Sequence, residues 1–368
     1  MIHSNTRLQP SSNLVRRLSI AVMSAIALSL GSCATNTPST TQSPQAQSSP
    51  SSAKRLVVVT TFIPITDFTK AVAGDRAEVT QLLPTNVGPH DFQAKPEDAQ
   101  KLAKADVLVK NGLGLEEFLE DLVKNAGNAK LKVIDSSKGI QTITTESIEG
   151  HDHDHEHGAE EKKAKAGHDH GEFNPHIWLD PKRAIQQVEN IRDGLIAADP
   201  GGKETYTANA AAYIAKLQQL DQEFSQKLQP FAGKTFVTYH EFAPYFAQRY
   251  NLKVQFLVGI PEENASPDDV KRVMNAVKTS NLKTLLTEPQ AVGNPFSALA
   301  KDLNVRVSTF DSMETAGADG LQPDHYFVVM RQNVTNLTTA FKGQSTQSFL
   351  PTPVSKVAVV PQTVGLRF

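Results

Sequence analysis

A chain of 368 residues with 39% hydrophobic and 21% charged side chains can build one large core or two ordinary ones, which excludes global disorder. A formal charge of -2 leaves no electrostatic footprint for nucleic acid. The single cysteine, Cys33, excludes an intrachain disulfide, while eight of the eleven histidines fall between His151 and His240.

The N-terminus reads as an export signal. Arg16 and Arg17 precede the apolar run Leu18–Leu30, which is too short for a comfortable membrane span and ends in small residues. Leu30-Gly31-Ser32-Cys33 resembles the lipobox of bacterial lipoproteins, in which the cysteine is acylated and becomes the first mature residue. The other reading is an ordinary cleaved signal with an incidental cysteine. Residues 1–32 are therefore expected as signal peptide, and their loss takes the formal charge to -5 by removing Arg7, Arg16 and Arg17. Residues 33–53 are Ser-, Thr-, Gln- and Pro-rich beyond the cysteine and read as a disordered tether with a reach of roughly 25 Å.

From Lys54 the pattern alternates between strand and helix. Leu56–Thr60 is a continuous apolar run, as expected of a strand buried on both faces. Strand expectations follow at Glu78–Leu83, Asp106–Lys110 and Leu131–Ile134, with a helix around Pro96–Lys104. A second series occupies Thr235–Tyr239, Val254–Val258, Thr284–Thr287 and Val305–Thr309, interrupted by a capped helix over Ser266–Thr279. Between the two series Tyr213, Leu217, Leu220 and Phe224 recur at helical spacing, predicting one helix over Lys203–Leu228. The expected fold is α/β, with two parallel-sheet lobes (54–200 and 230–343) joined by one long helix (201–229). An ordinary crossover helix inside one domain is the alternative. The tail, 344–368, receives no role.

Residues 150–171, GHDHDHEHGAEEKKAKAGHDHG, form a low-complexity insert in the first lobe. Its histidines, His151, His153, His155, His157, His168 and His170, alternate with carboxylates, a composition suited to an auxiliary metal-binding loop. Such a chain forms many weak sites and no single geometry; the bland reading is a solvated loop that binds metal incidentally. Other chemistry-bearing residues stand alone in structured context. His90 and His240 follow predicted strands, Asp311 follows the last one, and His176 adjoins the only tryptophan. Ligands of open α/β sheets gather beyond the carboxyl ends of strands. Taken singly, a histidine in such a place is more often a turn or core residue than a ligand. Glu241 is either a solvated acid or a partner of His240, Glu288 ends a strand near the expected cleft, and His325 belongs to the start of the last helix.

Five segments carry a resemblance: PTNVGPHDFQ (84–93) with Pro96-Glu97-Asp98, NPHIWLDP (174–181), TYHEFAPYFAQRY (238–250), GIPEENASPDD (259–269) and VSTFDSM (307–313). In this order they are similar to the zinc and manganese receptors of ABC importers, nearest to the zinc-specific, ZnuA-like branch, over about Lys54–Lys342. The resemblance implies two Rossmann-like lobes joined by a rigid helix, with Zn(2+) held in the interlobe cleft. It implies His90, His176, His240 and Asp311 as metal ligands, with Asp311 or water in fourth place. It also implies a monomer, anchored through lipid, that serves a membrane permease with its ATPase. The alternatives are a manganese receptor of the same family, an exported zinc-dependent hydrolase and a surface adhesin. No H-E-x-x-H or G-x-S-x-G motif occurs to support the hydrolase.

Overall fold

The computed structural model describes residues 55–145, 172–259, 265–289 and 295–343. The signal peptide, Cys33 with its tether, the histidines of the 150–171 insert and the 344–368 tail lie outside the described residues. All described elements belong to one unit, Lys54–Phe368.

The first lobe is built on β1 (Leu56–Thr60), whose last three residues are buried. It lies inside a parallel sheet of order β2-β1-β3-β4, with β2 at Ala77–Gln81, β3 at Val107–Lys110 and β4 at Lys132–Asp135. Val58 is in register with both Val79 and Val107, so the apolar run is enclosed by strands on either side as well as by helices. Those helices are α1 (Ile63–Ala73), α2 (Pro96–Lys104), α3 (Phe118–Ala126) and α4 (Pro181–Ala198). Helix α4 starts where it does because Asp180 accepts from the Lys182 N–H and Pro181 sits in the first turn. After β3 the chain turns at Gly112, with φ of 95°, where a Cβ would collide with the side chains of Asp135 and Ser137.

Helix α5 (Lys203–Leu228) coincides with the expected linking helix. Its buried residues, Tyr206, Ala210, Tyr213, Leu217, Leu220, Phe224 and Leu228, recur every three or four positions and form one stripe. Toward its N-terminal half the stripe meets α1, where Tyr213 packs edge-on against Phe68 at 5.8 Å. Toward its C-terminal end Phe224 meets Tyr250, and Asp221 accepts from Arg249 Nε at 2.8 Å, both groups of the second lobe. A helix buried against both lobes is not a crossover inside one of them.

The second lobe contains two parallel pairs. In one, β5 (Thr235–His240) pairs with β6 (Lys253–Val258); in the other, β7 (Thr284–Thr287) pairs with β8 (Arg306–Thr309). Around them lie α6 (Pro244–Arg249), α7 (Pro267–Thr279), α8 (Pro295–Asp302) and α9 (His325–Phe341). Helix α7 opens with a capping box in which Ser266 and Asp269 bond reciprocally. Val237, Leu257 and Leu285 share a core with Val273, Val277 and Phe296, which binds the two strand pairs into one layer. A larger core runs without interruption from Val58 and Phe62 through Trp178 to Phe310 and Met313, so the lobes are joined by packing as well as by α5.

Candidate metal centre

Four side chains meet between the lobes: His90, His176, His240 and Glu314, with one ligand atom from each lying within 4.8 Å of all the others. Each arrives by a different local route. After β2, Leu82 N–H and Leu83 N–H bond to the carbonyls of Thr60 and Thr61, and a turn at Gly88–Asp91 carries His90 over the sheet end. Ala316 N–H donates to the Thr85 carbonyl at 2.7 Å, tying this loop to the second lobe. His176 is held between Pro175, whose carbonyl accepts from Asn111 Nδ2, and the short 3-10 turn Ile177–Leu179. His240 is the last residue of β5. Glu314 lies five positions beyond β8, and a turn brings it back. In that turn Asp311 Oδ1 accepts from Met313 N–H at 2.8 Å and Met313 adopts a left-handed φ of 64°.

The polar contacts show which atoms face the centre. Asn174 Nδ2 donates to the Glu241 carbonyl at 2.8 Å, so its Oδ1 is turned toward His176, where it also accepts the His176 backbone N–H at 3.1 Å. That amide oxygen sits 3.0 Å from His176 Nδ1, which must therefore carry the ring proton, leaving Nε2 as a bare lone pair. His176 Nε2 lies 3.2 Å from Glu314 Oε1 and 3.4 Å from His240 Nε2; His90 Nε2 lies 3.1 Å from Glu314 Oε1, and His240 Nε2 3.4 Å from Glu314 Oε2. A tetrahedron with zinc–nitrogen bonds of 2.0–2.1 Å has ligand atoms about 3.3–3.4 Å apart. Electron pairs converging at that spacing in a buried place form a group that can hold a metal ion. His176 and His240 are fully buried and Glu314 nearly so; His90, with 14% of its side chain exposed, is the outward member.

Burial pushes His176 down to about 4, against its contact with Glu314, so the ring is neutral at pH 7. Burial pushes Glu314 up, but His176, His90 and His240 outweigh it and hold the carboxyl well below the ordinary range. A neutral imidazole facing an ionised carboxylate is the protonation state a metal needs. The depressed His176 value has a stability consequence. Between pH 6.5 and about 4 the unfolded chain binds a proton that the folded chain refuses, so this contribution is complete above pH 6.5 and disappears as pH falls toward 4. Metal-stripped protein is expected to lose up to about 3 kcal/mol across that window from this residue alone. Urea midpoints from pH 7.5 to 4 check it: the slope against pH should be shallower in a His176→Asn variant, and equal slopes contradict the assignment.

Of the residues expected at the site, the structure brings together His90, His176 and His240. The carboxylate that joins them is Glu314, not Asp311. Asp311 is committed elsewhere: its carboxylate holds the Met313 turn, while its backbone exchanges hydrogen bonds with Asn333 of α9. Burial pushes Asp311 up to about 7, with the charges of Glu288 and Glu314 adding to the effect. Glu241 is buried rather than solvated, with Oε1 3.3 Å from Asn174 Nδ2. Glu288 is buried beside His240, and His325 begins α9.

Comparison with known proteins gives a consistent picture. Residues 58–340 match the family model described as zinc-uptake complex component A, periplasmic, ZnuA. The chain is similar to the zinc-binding protein AdcA of Streptococcus pyogenes serotype M6, at 34% identity over 289 residues, covering 77% of this chain and 55% of that protein. It is also similar to the iron ABC transporter substrate-binding lipoprotein MtsA of Streptococcus pyogenes serotype M1, at 32% identity over 292 residues, covering 77% of this chain and 88% of that protein. Among solved structures it resembles the Zn(II)-bound ZnuA-like domain of Streptococcus pneumoniae AdcA, with a TM-score of 0.63 and 30% identity over 78% of this chain and 98% of that one. The chain spans about half the length of the AdcA proteins it matches.

Proposed function

This chain belongs to the ZnuA family of zinc-uptake components, and we propose that it captures one Zn(2+) between its lobes, outside the cytoplasm, and delivers it to an ABC permease. The observation that carries the reading is the convergence of three imidazole nitrogens and one carboxylate, all within 4.8 Å of one another, in a buried cleft. We assign His90, His176, His240 and Glu314 as the ligands. A nitrogen-rich set suits zinc, whereas manganese favours oxygen donors. A catalytic zinc keeps a position open for water; four protein ligands leave none, which favours carriage over hydrolysis. The similar AdcA protein bears the name of a zinc binder and MtsA that of an iron transporter component, and the imidazole set here supports the former as the guide to this chain. Cys33 is assigned as the lipid attachment point, with the permease and its ATPase as partners and the insert histidines as an auxiliary metal loop.

Titration of the metal-stripped mature chain with zinc, in competition with a chelator, is expected to reveal one tight equivalent and several weak ones. Deleting residues 150–171 should remove the weak equivalents and leave the tight one, because its ligands belong to the folded lobes. Loss of the tight equivalent with the insert would overturn the ligand assignment.

A further inference from the structure

Glu288 follows β7 directly, and its carboxylate Oε1 lies 2.6 Å from Nδ1 of His240, on the opposite edge of the ring from the Nε2 that faces Glu314 and His176. Both side chains are buried, His240 completely and Glu288 with 1% of its side chain exposed. We propose that Glu288 is a positioning residue of the metal centre: it accepts the Nδ1 proton of His240, fixes the tautomer whose Nε2 lone pair points at the metal, and adds a negative charge that favours the captured dication. The inference rests on the zinc-capture reading given above.

The chemistry has three parts. A neutral imidazole carries one proton and a carboxylate only accepts; Glu288 Oε1 lies 2.6 Å from Nδ1 but off the line of its N–H, and the small ring rotation that aligns the two places the proton on Nδ1. A flip of the ring about its Cβ–Cγ bond would exchange Nδ1 with Cδ2 and Nε2 with Cε1, taking Nδ1 away from Glu288 and replacing the Nε2 lone pair at the centre by a C–H. Thus the orientation of His240 does not depend on the metal being present. The third part is charge. Zinc with three neutral imidazoles and Glu314 leaves one positive charge in a desolvated place, and Glu288, one ring away, is a buried carboxylate placed to offset it. His176 is oriented by the neutral amide of Asn174 and gains position without this compensation. The two fully buried histidines are therefore backed differently, and His240 is made the more basic donor.

The test uses full mature chains labelled with 15N-histidine and stripped of metal. In the parent the His240 ring should show a protonated Nδ1 and a bare Nε2. In Glu288→Ala the Nε2–H tautomer should appear, and zinc affinity, measured by chelator competition, should fall about 10- to 100-fold, the usual effect of removing a carboxylate behind a zinc-bound histidine. Glu288→Gln keeps an amide oxygen that accepts from Nδ1, so it should retain the parent tautomer and lose less affinity than the alanine variant. A His240 ring that stays Nδ1–H without Glu288, or an alanine variant with parental affinity, overturns the proposal. If the alanine variant has no cooperative unfolding transition without metal, the glutamine variant decides on affinity: a measurable loss supports the charge role, and parity overturns it. Failure of the parent to bind zinc tightly would instead sink the functional reading itself, which keeps the two outcomes apart.

Discussion

Replacing His176 or Glu314 by alanine is expected to weaken zinc capture about 100- to 1000-fold. Four-ligand protein zinc sites hold their ion with roughly 10–16 kcal/mol, so one ligand is worth about a quarter of that. The groups left behind cannot readily regroup, because each has its own anchor: the Gly88–Asp91 turn at His90, Asn174 behind His176, the end of β5 behind His240 and the Asp311–Met313 turn behind Glu314. The informative comparison is within one segment. Glu314→Ala should match the histidine variants, whereas Asp311→Asn, whose side chain still accepts from Met313 N–H, should cost less than about tenfold on the same scale. His325→Ala, at the start of α9, should leave affinity unchanged. Chelator-competition titrations on the four proteins measure this directly. Equal losses for Asp311→Asn and Glu314→Ala would reverse the ligand assignment between the two acids.

The largest effect on folding is expected at Trp178. Its indole is fully buried, meets Phe62 edge-on at 5.0 Å and His176 at 5.1 Å, and donates from Nε1 to the Ser312 carbonyl of the second lobe at 2.8 Å. Its own carbonyl accepts from Tyr326 Oη at 2.7 Å. Truncation to alanine opens a cavity at the junction of the lobes and should cost about 3–5 kcal/mol. Trp178→Phe keeps most of the volume but leaves the Ser312 carbonyl unpaired, which should cost about 1–3 kcal/mol. Because Ser312 is two residues from Glu314 and the ring lies against His176, zinc affinity should fall in the same order. Urea midpoints of metal-stripped protein test the ranking, and an alanine variant as stable as the parent would show that the indole does not join the lobes.

Much of the fold is legible in the sequence because its signals are local. The run Leu56–Thr60 is apolar throughout since β1 has strands on both sides and helices on both faces, and Lys203–Leu228 carries one unbroken stripe. Ser266 and Asp269 announce the start of α7 through side chains that bond to each other's backbone. The site is legible only in part. His90 and His240 stand beyond strand ends, where the topology of parallel sheets collects ligands. The choice between Asp311 and Glu314 depends on a left-handed Met313, a conformation that a residue of this type seldom adopts and no spacing rule foretells. Glu241 and Glu288 are drawn inside by Asn174 and His240, which lie 67 and 48 positions away in the chain, so their burial is a property of the assembled lobes.

Helix α5 behaves as a beam and not as a joint. At 1.5 Å per residue its 26 residues extend about 39 Å, and the same apolar edge is seated in both halves of the molecule. Swinging the second lobe away from the helix would strip cover from side chains packed on it, such as Phe224 against Tyr250, at about 1.5–3 kcal/mol for each side chain exposed. Unloading the ion by a wide-open gape is thus expensive, and the economical movement is a small one at the rim. There the loop bearing His90 projects past the end of β2, and its ring is the most exposed of the four. A docking partner that lifts this lip would turn a closed tetrahedron into a three-sided cup and let the cargo go while the spine stays straight.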